Sequence, residues 1–287
     1  MKPVIVVTDS TAGLPVDLAA RHGLRVIPLW VHSGEQSYRD GVDLMPNQFY
    51  PLLARAPDLP TTSQPSAGEF LELYRELARD AEAIVSVHIS TELSGTVASA
   101  LAARQMFHDV PVHVVDSRST AMGLGLIALA AARAAAEGQD GEQVAALAER
   151  LVPWTSVLFV VDTLEYLRKG GRIGGASALA GSLIRIKPIL HIHDGRIDAL
   201  DKVRTRGKAM DRLLEIVAER VAGAGPIHAA VVHAVAPAEA ESLRDRLAHT
   251  FDLTELHLAE ISPAIWTHVG PGTVGVAFYP TAQESGA

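Results

Sequence analysis

The sequence predicts an α/β protein in two parts: a parallel sheet with helices on both faces, then a two-layer α/β unit built on a mixed sheet. Three observations carry this. Strand-like and helix-like segments alternate through the first half at the spacing of crossover units. Val4–Thr8 is a continuous β-branched run, the pattern of a strand buried on both faces. Beyond Pro153 several strand segments follow one another with no helix between them, which requires antiparallel pairing. The expected domains are therefore residues 1–152 and 153–287.

Each element has its own signal. Leu24–His32 reads as a second strand. A helix starts near Pro46, with proline in its first turn. Another starts at Ser66, where Ser66 and Glu69 form a capping-box pair before FLELYRELARD. Ala83–Ile89 and Pro111–Val115 read as strands, with a helix over Ser94–Phe107 between them. Thr120–Glu137 is a long Ala-rich helix stopped by Gly138, and Asp140–Leu151 follows with Asp140 and Gln143 as its cap pair. In the second part, strand Val157–Val161 and a short helix Thr163–Lys169 precede a stretch broken by Gly170, Gly171, Gly174, Gly175 and Gly181. Pro188–Ile192 and Ile197–Asp201 flank His193-Asp194-Gly195, a hairpin signal. Helices Thr205–Val221 and Pro237–Thr250 then alternate with strands Ile227–Ala234, Leu253–Ile261 and Thr273–Tyr279. Thr281–Ala287 reads as a loose tail.

Composition excludes several function classes. The 287 residues are 48% hydrophobic and 20% charged, the balance of a folded globular chain. Only 5% are aromatic, so a large apolar cavity must have mainly aliphatic walls. With no cysteine there is no disulfide, thiolate nucleophile or Cys-ligated metal. A net charge of -8 argues against general nucleic-acid binding. The N-terminal apolar run is too short for a signal peptide, and the most apolar stretch, Ala121–Ala136, contains Arg133. The expectation is a cytoplasmic protein without membrane insertion.

The candidate chemistry lies at the strand ends. Apolar runs finish in hydroxyls and aspartates at Thr8–Thr11, Ser90–Thr91, Asp116–Thr120 and Asp162–Thr163. In an open parallel sheet that edge is where ligands bind. Each such residue also suits a helix N-cap; the recurrence favours a donor-rich anion site. Thr61–Ser66 (TTSQPS) and Ser90–Thr96 (STELSGT) both lead into helices, whose N-termini favour anions. Thr62, Ser94 and the Gly95 backbone together suit one carboxylate. No GxSxG elbow, evident His–Asp pairing or GxxxxGK[ST] loop is present, so the sequence supplies neither a serine nucleophile nor a P-loop. Gly123-Leu-Gly125-Leu-Ile-Ala128 resembles a dinucleotide fingerprint, but SRST separates it from its strand, which puts these glycines inside a helix. His191 and His193 share a strand face beside Asp194; a solvated hairpin face accounts for them better than a metal does. From Arg168 to Lys208 there are ten cationic residues against three acidic ones, a local field that attracts anions or an acidic partner. His268 precedes the turn Gly270-Pro271-Gly272; folded over the donor cluster, it would meet an anion as a cation or hydrogen-bond donor.

Taken in order, VTDST, TTSQPS, LSGT, VVDSRS, LEYLRKGGRIG, KPIL, KVRTRGKA and HVGPGTVGVAF resemble the DegV family of bacterial fatty-acid-binding proteins over nearly the whole chain. The resemblance implies two α/β domains with a lipid between them. It also implies a carrier role: the acyl-carrying subunit of a fatty acid kinase, presenting a long-chain fatty acid to a separate ATP-dependent subunit that forms acyl phosphate. No cofactor or metal of its own is implied. Carried over residue by residue, Thr62 and Ser94 look like carboxylate ligands, joined by Gly95 and His268, while Arg172 and Arg204 face the partner or the phosphate. Met122–Ala136 and Ile173–Ile186, aliphatic and glycine-rich, are the expected tunnel walls. Burying a sixteen-carbon chain at about 0.8 kcal/mol per methylene gains on the order of 10 kcal/mol before ordering costs. The competing reading is a self-sufficient α/β enzyme acting on a small anionic substrate.

Overall fold

The structure, a computed structural model, describes residues 2–55, 58–179 and 186–285. The first half runs β1 (Val4–Asp9), α1 (Val16–Arg21), β2 (Arg25–Ile27), β3 (Trp30–Ser33), β4 (Gln36–Arg39), α2 (Pro46–Arg55), β5 (Thr61–Ser63), α3 (Ala67–Leu77), β6 (Ala83–His88), α4 (Thr96–Met106), β7 (Val112–Asp116), α5 (Ala121–Ala136) and α6 (Gly141–Leu151). It continues through β8 (Ser156–Val160), α7 (Glu165–Lys169), β9 (Lys187–His193), β10 (Arg196–Val203), α8 (Arg206–Val221), β11 (Ile227–His233), α9 (Pro237–Thr250), β12 (Leu253–Glu260), α10 (Pro263–Val269) and β13 (Val274–Pro280).

Strands β2-β1-β6-β7 form a wholly parallel sheet. On one face Phe70, Tyr74 and Leu77 of α3 and Ala100 and Ala103 of α4 pack on Val7 and Ile84. The other face carries α5 and α6, so the expected helix–sheet–helix arrangement is present. The second sheet has the order β10-β9-β8-β13-β11-β12 and is mixed, since only β11 and β12 run parallel. Leu213 and Val217 of α8 and Leu243 and Leu247 of α9 cover its outer face. Its inner face rests on α5.

That shared helix joins the two layers. Every residue of α5 from Ala121 to Ala132 is buried. No charged residue precedes Arg133, so the helix can bury its whole circumference, and alanine and glycine let two sheets approach it closely. A Cβ at Gly123 would lie 2.4 Å from Val157 Cγ2 and 2.3 Å from Ser119 Oγ. These glycines therefore serve close packing.

Caps at Ser66/Glu69 and Asp140/Gln143 form as the sequence predicts. The strand expected over Leu24–His32 is two strands. Pro28 interrupts it, lacking the N–H that a continuing ladder needs. β2 then stays on β1, while β3 joins a separate antiparallel sheet of order β4-β3-β5. The tail is held rather than loose through Glu284. Glu284 accepts from Arg133 of α5 at 3.0 Å, and Arg150 of α6 donates to the Gln283 and Glu284 carbonyls at 3.2 and 2.9 Å. Among the described residues no helix is long and apolar enough to cross a membrane. Gly181, Arg185 and the last part of the expected wall Ile173–Ile186, up to Arg185, lie outside the described residues.

Gly123→Ala should therefore lower stability by about 1–3 kcal/mol through overpacking. Gly68→Ala, in the exposed first turn of α3 with its nearest neighbour 3.7 Å away, should raise it by about 0.5–1 kcal/mol. Chemical denaturation of both variants checks this; a neutral Gly123→Ala would mean that α5 has room the packing does not show.

Candidate functional site

A cavity opens where the carboxyl ends of β1 and β6 and the loop after β7 meet the inner face of the six-stranded sheet. Its interior is aliphatic, with Val157, Val232, Ile192 and Ile197 contributed by the second sheet and Leu29 and Ile89 by the first half. Phe159 is the one carbocyclic ring in the lining, as the low aromatic content requires. The expected walls differ. From the stretch Met122–Ala136 no residue lines the cavity, because packing between the two sheets uses every face of α5. Of Ile173–Ile186 no described residue lines it either; the β9–β10 hairpin does instead.

One end is polar. Thr62, in β5, is fixed by pairing opposite Val31 of β3. Its Oγ1 lies 2.8 Å from Nε2 of His268, 206 residues later in the chain. His268 is not in a turn, as the glycines after it suggest, but in the last turn of α10. Ser262 caps that helix and Pro263 occupies its first position, while Trp266 anchors it against Phe49 (5.3 Å, edge-on) and Tyr50 (6.1 Å, stacked) of α2. The imidazole fits because residue 170 is glycine: a Cβ there would sit 2.2 Å from His268 Nδ1.

Arg172 completes this end. Its Nε donates to the Leu93 carbonyl at 3.1 Å and Nη1 to the Gly170 carbonyl at 2.7 Å. Burial, assisted by the Arg172 charge, lowers the His268 pKa to about 4. His268 is therefore neutral at pH 7, a hydrogen-bonding group and not a cation. Ser94 lines the cavity beside it, its hydroxyl 2.9 Å from Thr96 Oγ1. Gly95 is the N-cap of α4 and lies just outside the lining. A Cβ on it would come within 2.9 Å of the Gln64 amide, which does line the cavity. The geometry thus gathers Thr62, Ser94, His268 and Arg172 around one opening, with Gly95 directly behind.

Arg204 is not brought there. It is exposed and outside the lining. The basic excess around it is also thinner than the sequence suggests, because acids from elsewhere pair with it: Glu165 with Lys169, Asp162 with Lys187, Glu92 with Arg196, and Glu239 with Arg206. His191 and His193 stack at 5.3 Å, and His191 meets Arg220 Nη2 at 3.2 Å. Among the described residues no group of three or more His, Cys, Asp or Glu is placed to hold a metal.

A His–Asp pairing, not evident in the sequence, is present in the first sheet. Asp9 Oδ2 lies 3.0 Å from His88 Nδ1 and accepts from the Ile89 N–H at 3.0 Å. His88 Nε2 faces Ser86 Oγ at 2.6 Å, and Tyr74 donates to Ser86 at 2.9 Å. The order resembles a serine triad, but Asp9, His88, Ser86 and Tyr74 are all fully buried and none lines the cavity. The chain positions the wall instead: Thr11, also bound to Asp9, and Ile89 both face the ligand space. The strand-end aspartates are otherwise occupied locally, Asp116 by the Arg118 N–H at 2.8 Å and the Thr91 hydroxyl at 2.7 Å.

Fold and cavity together define an α/β protein, built on two large sheets and one small one, with an aliphatic chamber and one hydrogen-bonding end. The DegV family model, described as an uncharacterised protein family, matches residues 3–281. A DegV domain-containing protein of Streptomyces coelicolor is 45% identical over 95% of this chain and 97% of its own length. Protein DegV of Bacillus subtilis is 36% identical over 96% and 98%. Among solved structures, a fatty-acid-binding DegV family protein of Thermus thermophilus aligns with TM-score 0.92 at 38% identity, covering 97% of this chain and 99% of that one. DegV of Bacillus subtilis, a fatty acid binding protein, aligns with TM-score 0.90 at 35% identity over 98% and 100%. The chain belongs to the DegV family.

The buried imidazole has a pH signature. Between its lowered pKa of about 4 and its ordinary value of 6.5 the unfolded chain binds more protons at this site, so His268 makes stability rise with pH. Asp40, pushed up to about 6 by burial, acts in the opposite sense in an overlapping range, so only a difference isolates the histidine. The stability of wild type minus that of His268→Gln should climb by up to about 1.4 kcal/mol per pH unit from pH 4 to 6.5 and flatten above. Urea titrations across that range provide the measurement; a flat difference would place a charged imidazole at the opening.

Proposed function

We propose that this chain carries a long-chain fatty acid in the aliphatic cavity, with the carboxylate at the Thr62–Ser94 end. The carrying observation is the pairing of aliphatic walls with clustered donors at one end. A desolvated carboxylate is costly unless hydrogen-bonded. In the tautomer with the proton on Nε2, His268 donates to Thr62 Oγ1, which leaves the Thr62 hydroxyl proton for the ligand. Ser94 and the Gly95 N–H serve the second oxygen. In this arrangement the lipid lies between residues 1–152 and 153–287, which we propose as the two domains. The Thermus thermophilus and Bacillus subtilis neighbours, both described as fatty acid binding, support the reading.

The carrier serves a separate ATP-dependent kinase subunit. There a carboxylate oxygen attacks the γ-phosphorus of ATP, the bond to the β-γ bridging oxygen breaks, and acyl phosphate and ADP result. Arg172, at the opening, faces the transferred phosphoryl group, and exposed Arg204 faces the partner. The alternative of a self-sufficient enzyme gains nothing from Asp9–His88–Ser86, which is sealed from the cavity.

Delipidated protein should be stabilised by C14–C18 fatty acids and less by the matching alcohols; equal thermal shifts would remove the carboxylate site. Hydrogen bonds to a charged acceptor contribute roughly 1.5–3 kcal/mol. Thr62→Val and Ser94→Ala should therefore each weaken binding tenfold or more while the fold persists.

The two arginines should separate in a combined assay of bound lipid and kinase-dependent phosphorylation. Arg204→Ala should keep its fatty acid and lose most acyl-phosphate formation, and raised salt should mimic it. Arg172→Ala should lose activity and part of its lipid. Lipid loss in Arg204→Ala would transfer that residue to the ligand site.

A further inference from the structure

The cavity has a second polar feature that a saturated acyl chain leaves unused. Among the described lining residues each other hydroxyl has a partner: Thr11 on Asp9, Thr62 on His268 at 2.8 Å, Ser63 on His32 at 2.8 Å, Ser94 on Thr96 at 2.9 Å, and Thr273 on the Gly270 carbonyl at 2.9 Å. Thr120 also lines the cavity and is 8% exposed, yet its Oγ1 has no partner.

Its place in the fold makes this notable. Thr120 is the N-cap of α5, and an N-cap side-chain oxygen ordinarily accepts from its own helix. Ser66, Asp140, Thr205 and Ser262 do so at α3, α6, α8 and α10. Thr120 does not, because the following residue, Ala121, turns into the left-handed region at φ 49°. Backbone bonding at this helix start begins only at Gly123, whose N–H donates to the Thr120 carbonyl at 3.1 Å. The Ala121 and Met122 N–H groups precede it, at the positive end of a sixteen-residue helix. Among the described lining residues the one full charge, Arg172, is already committed to the Leu93 and Gly170 carbonyls.

We infer that Thr120 and the first turn of α5 form a second hydrogen-bonding subsite, which takes a neutral oxygen on the acyl chain, a hydroxyl or a keto group. The inference rests on the fatty-acid reading and adds a substrate class to it: in-chain oxygenated fatty acids. A threonine hydroxyl both donates and accepts, so it matches a ligand hydroxyl of either polarity, and the helix N–H groups reinforce an accepting oxygen. A plain methylene at this point leaves Oγ1 desolvated and unpaired, so the site discriminates in favour of the oxygenated chain.

The test uses delipidated full-length protein titrated with stearic acid and with a positional series of monohydroxystearic acids. Wild type should bind one position, or two adjacent ones, at least as tightly as stearate. Thr120→Val is isosteric and removes a hydroxyl that bonds to nothing in the protein, so it should fold and bind stearate within about twofold of wild type, while losing the favoured hydroxy acid about tenfold. Thr120→Ser should restore it. If the valine variant does not fold, Thr120→Ala gives the same comparison. A ratio of hydroxy acid to stearate affinity that is unchanged by Thr120→Val at every position overturns the inference, since the hydroxyl is then served by water. Loss of the preference for acid over alcohol in Thr120→Val also overturns it, by moving the carboxylate to α5. Failure of stearate to bind wild type defeats the fatty-acid reading itself and is seen before any variant is compared.

Discussion

The burial of α5 on all sides is the constraint from which the rest of the molecule follows. A helix whose first twelve residues carry no charge has no face to give to water. Here it takes the parallel sheet on one side and the mixed sheet on the other, so two layers that would otherwise be separate domains share a core. Arg133 ends the apolar run and is held by Glu255 of β12 and Glu284 of the C-terminal segment, both at 3.0 Å. Small residues set how close the sheets come. The cavity opens where α5 begins, at the point where the sheets are no longer spaced by it.

The polar parts on either side are of two kinds. The Asp9–His88–Ser86–Tyr74 chain is complete: each group has partners within the protein, and nothing is left over for a ligand. Satisfied networks of this kind fix geometry, here the position of the β1 and β6 ends. The cavity lining is incomplete by contrast. His268 Nδ1 and Thr120 Oγ1 are buried without partners. Both residues line the cavity, His268 with its Nδ1 turned to Gly170.

Most of the fold was legible because local signals and burial agree. Capping pairs at Ser66 and Asp140, the β-branched run of β1 and the His193-Asp194-Gly195 hairpin each state their element in a few residues. The small β4-β3-β5 sheet was not legible, since its strands are only three or four residues long and no periodicity develops. The α10 helix was missed for the same brevity, although Ser262-Pro263, a cap followed by proline at the first position, is a readable start signal. With α10 unseen, His268 looked like a turn residue. Thr62 and Ser94 stand out in the sequence through hydroxyl density before helices. Their pairing with a histidine some 200 residues away, and the separation of Arg172 from Arg204, depend on tertiary approach that one sequence does not display.

The chemistry proposed for this opening also explains why its groups are mostly neutral. A carboxylate that is to attack phosphorus must be held and yet keep a lone pair free. A bidentate guanidinium would hold it strongly but would occupy both oxygens. Arg172 is kept from that role, since two backbone carbonyls already engage its Nε and Nη1. Burial, with the Arg172 charge beside it, lowers the His268 pKa and keeps the imidazole next to Thr62 neutral. In the proposed complex hydroxyls hold the head group with modest bonds, and the aliphatic walls supply most of the affinity. Binding strength and reactivity are thereby assigned to different parts of the same cavity, and either can be altered without undoing the other.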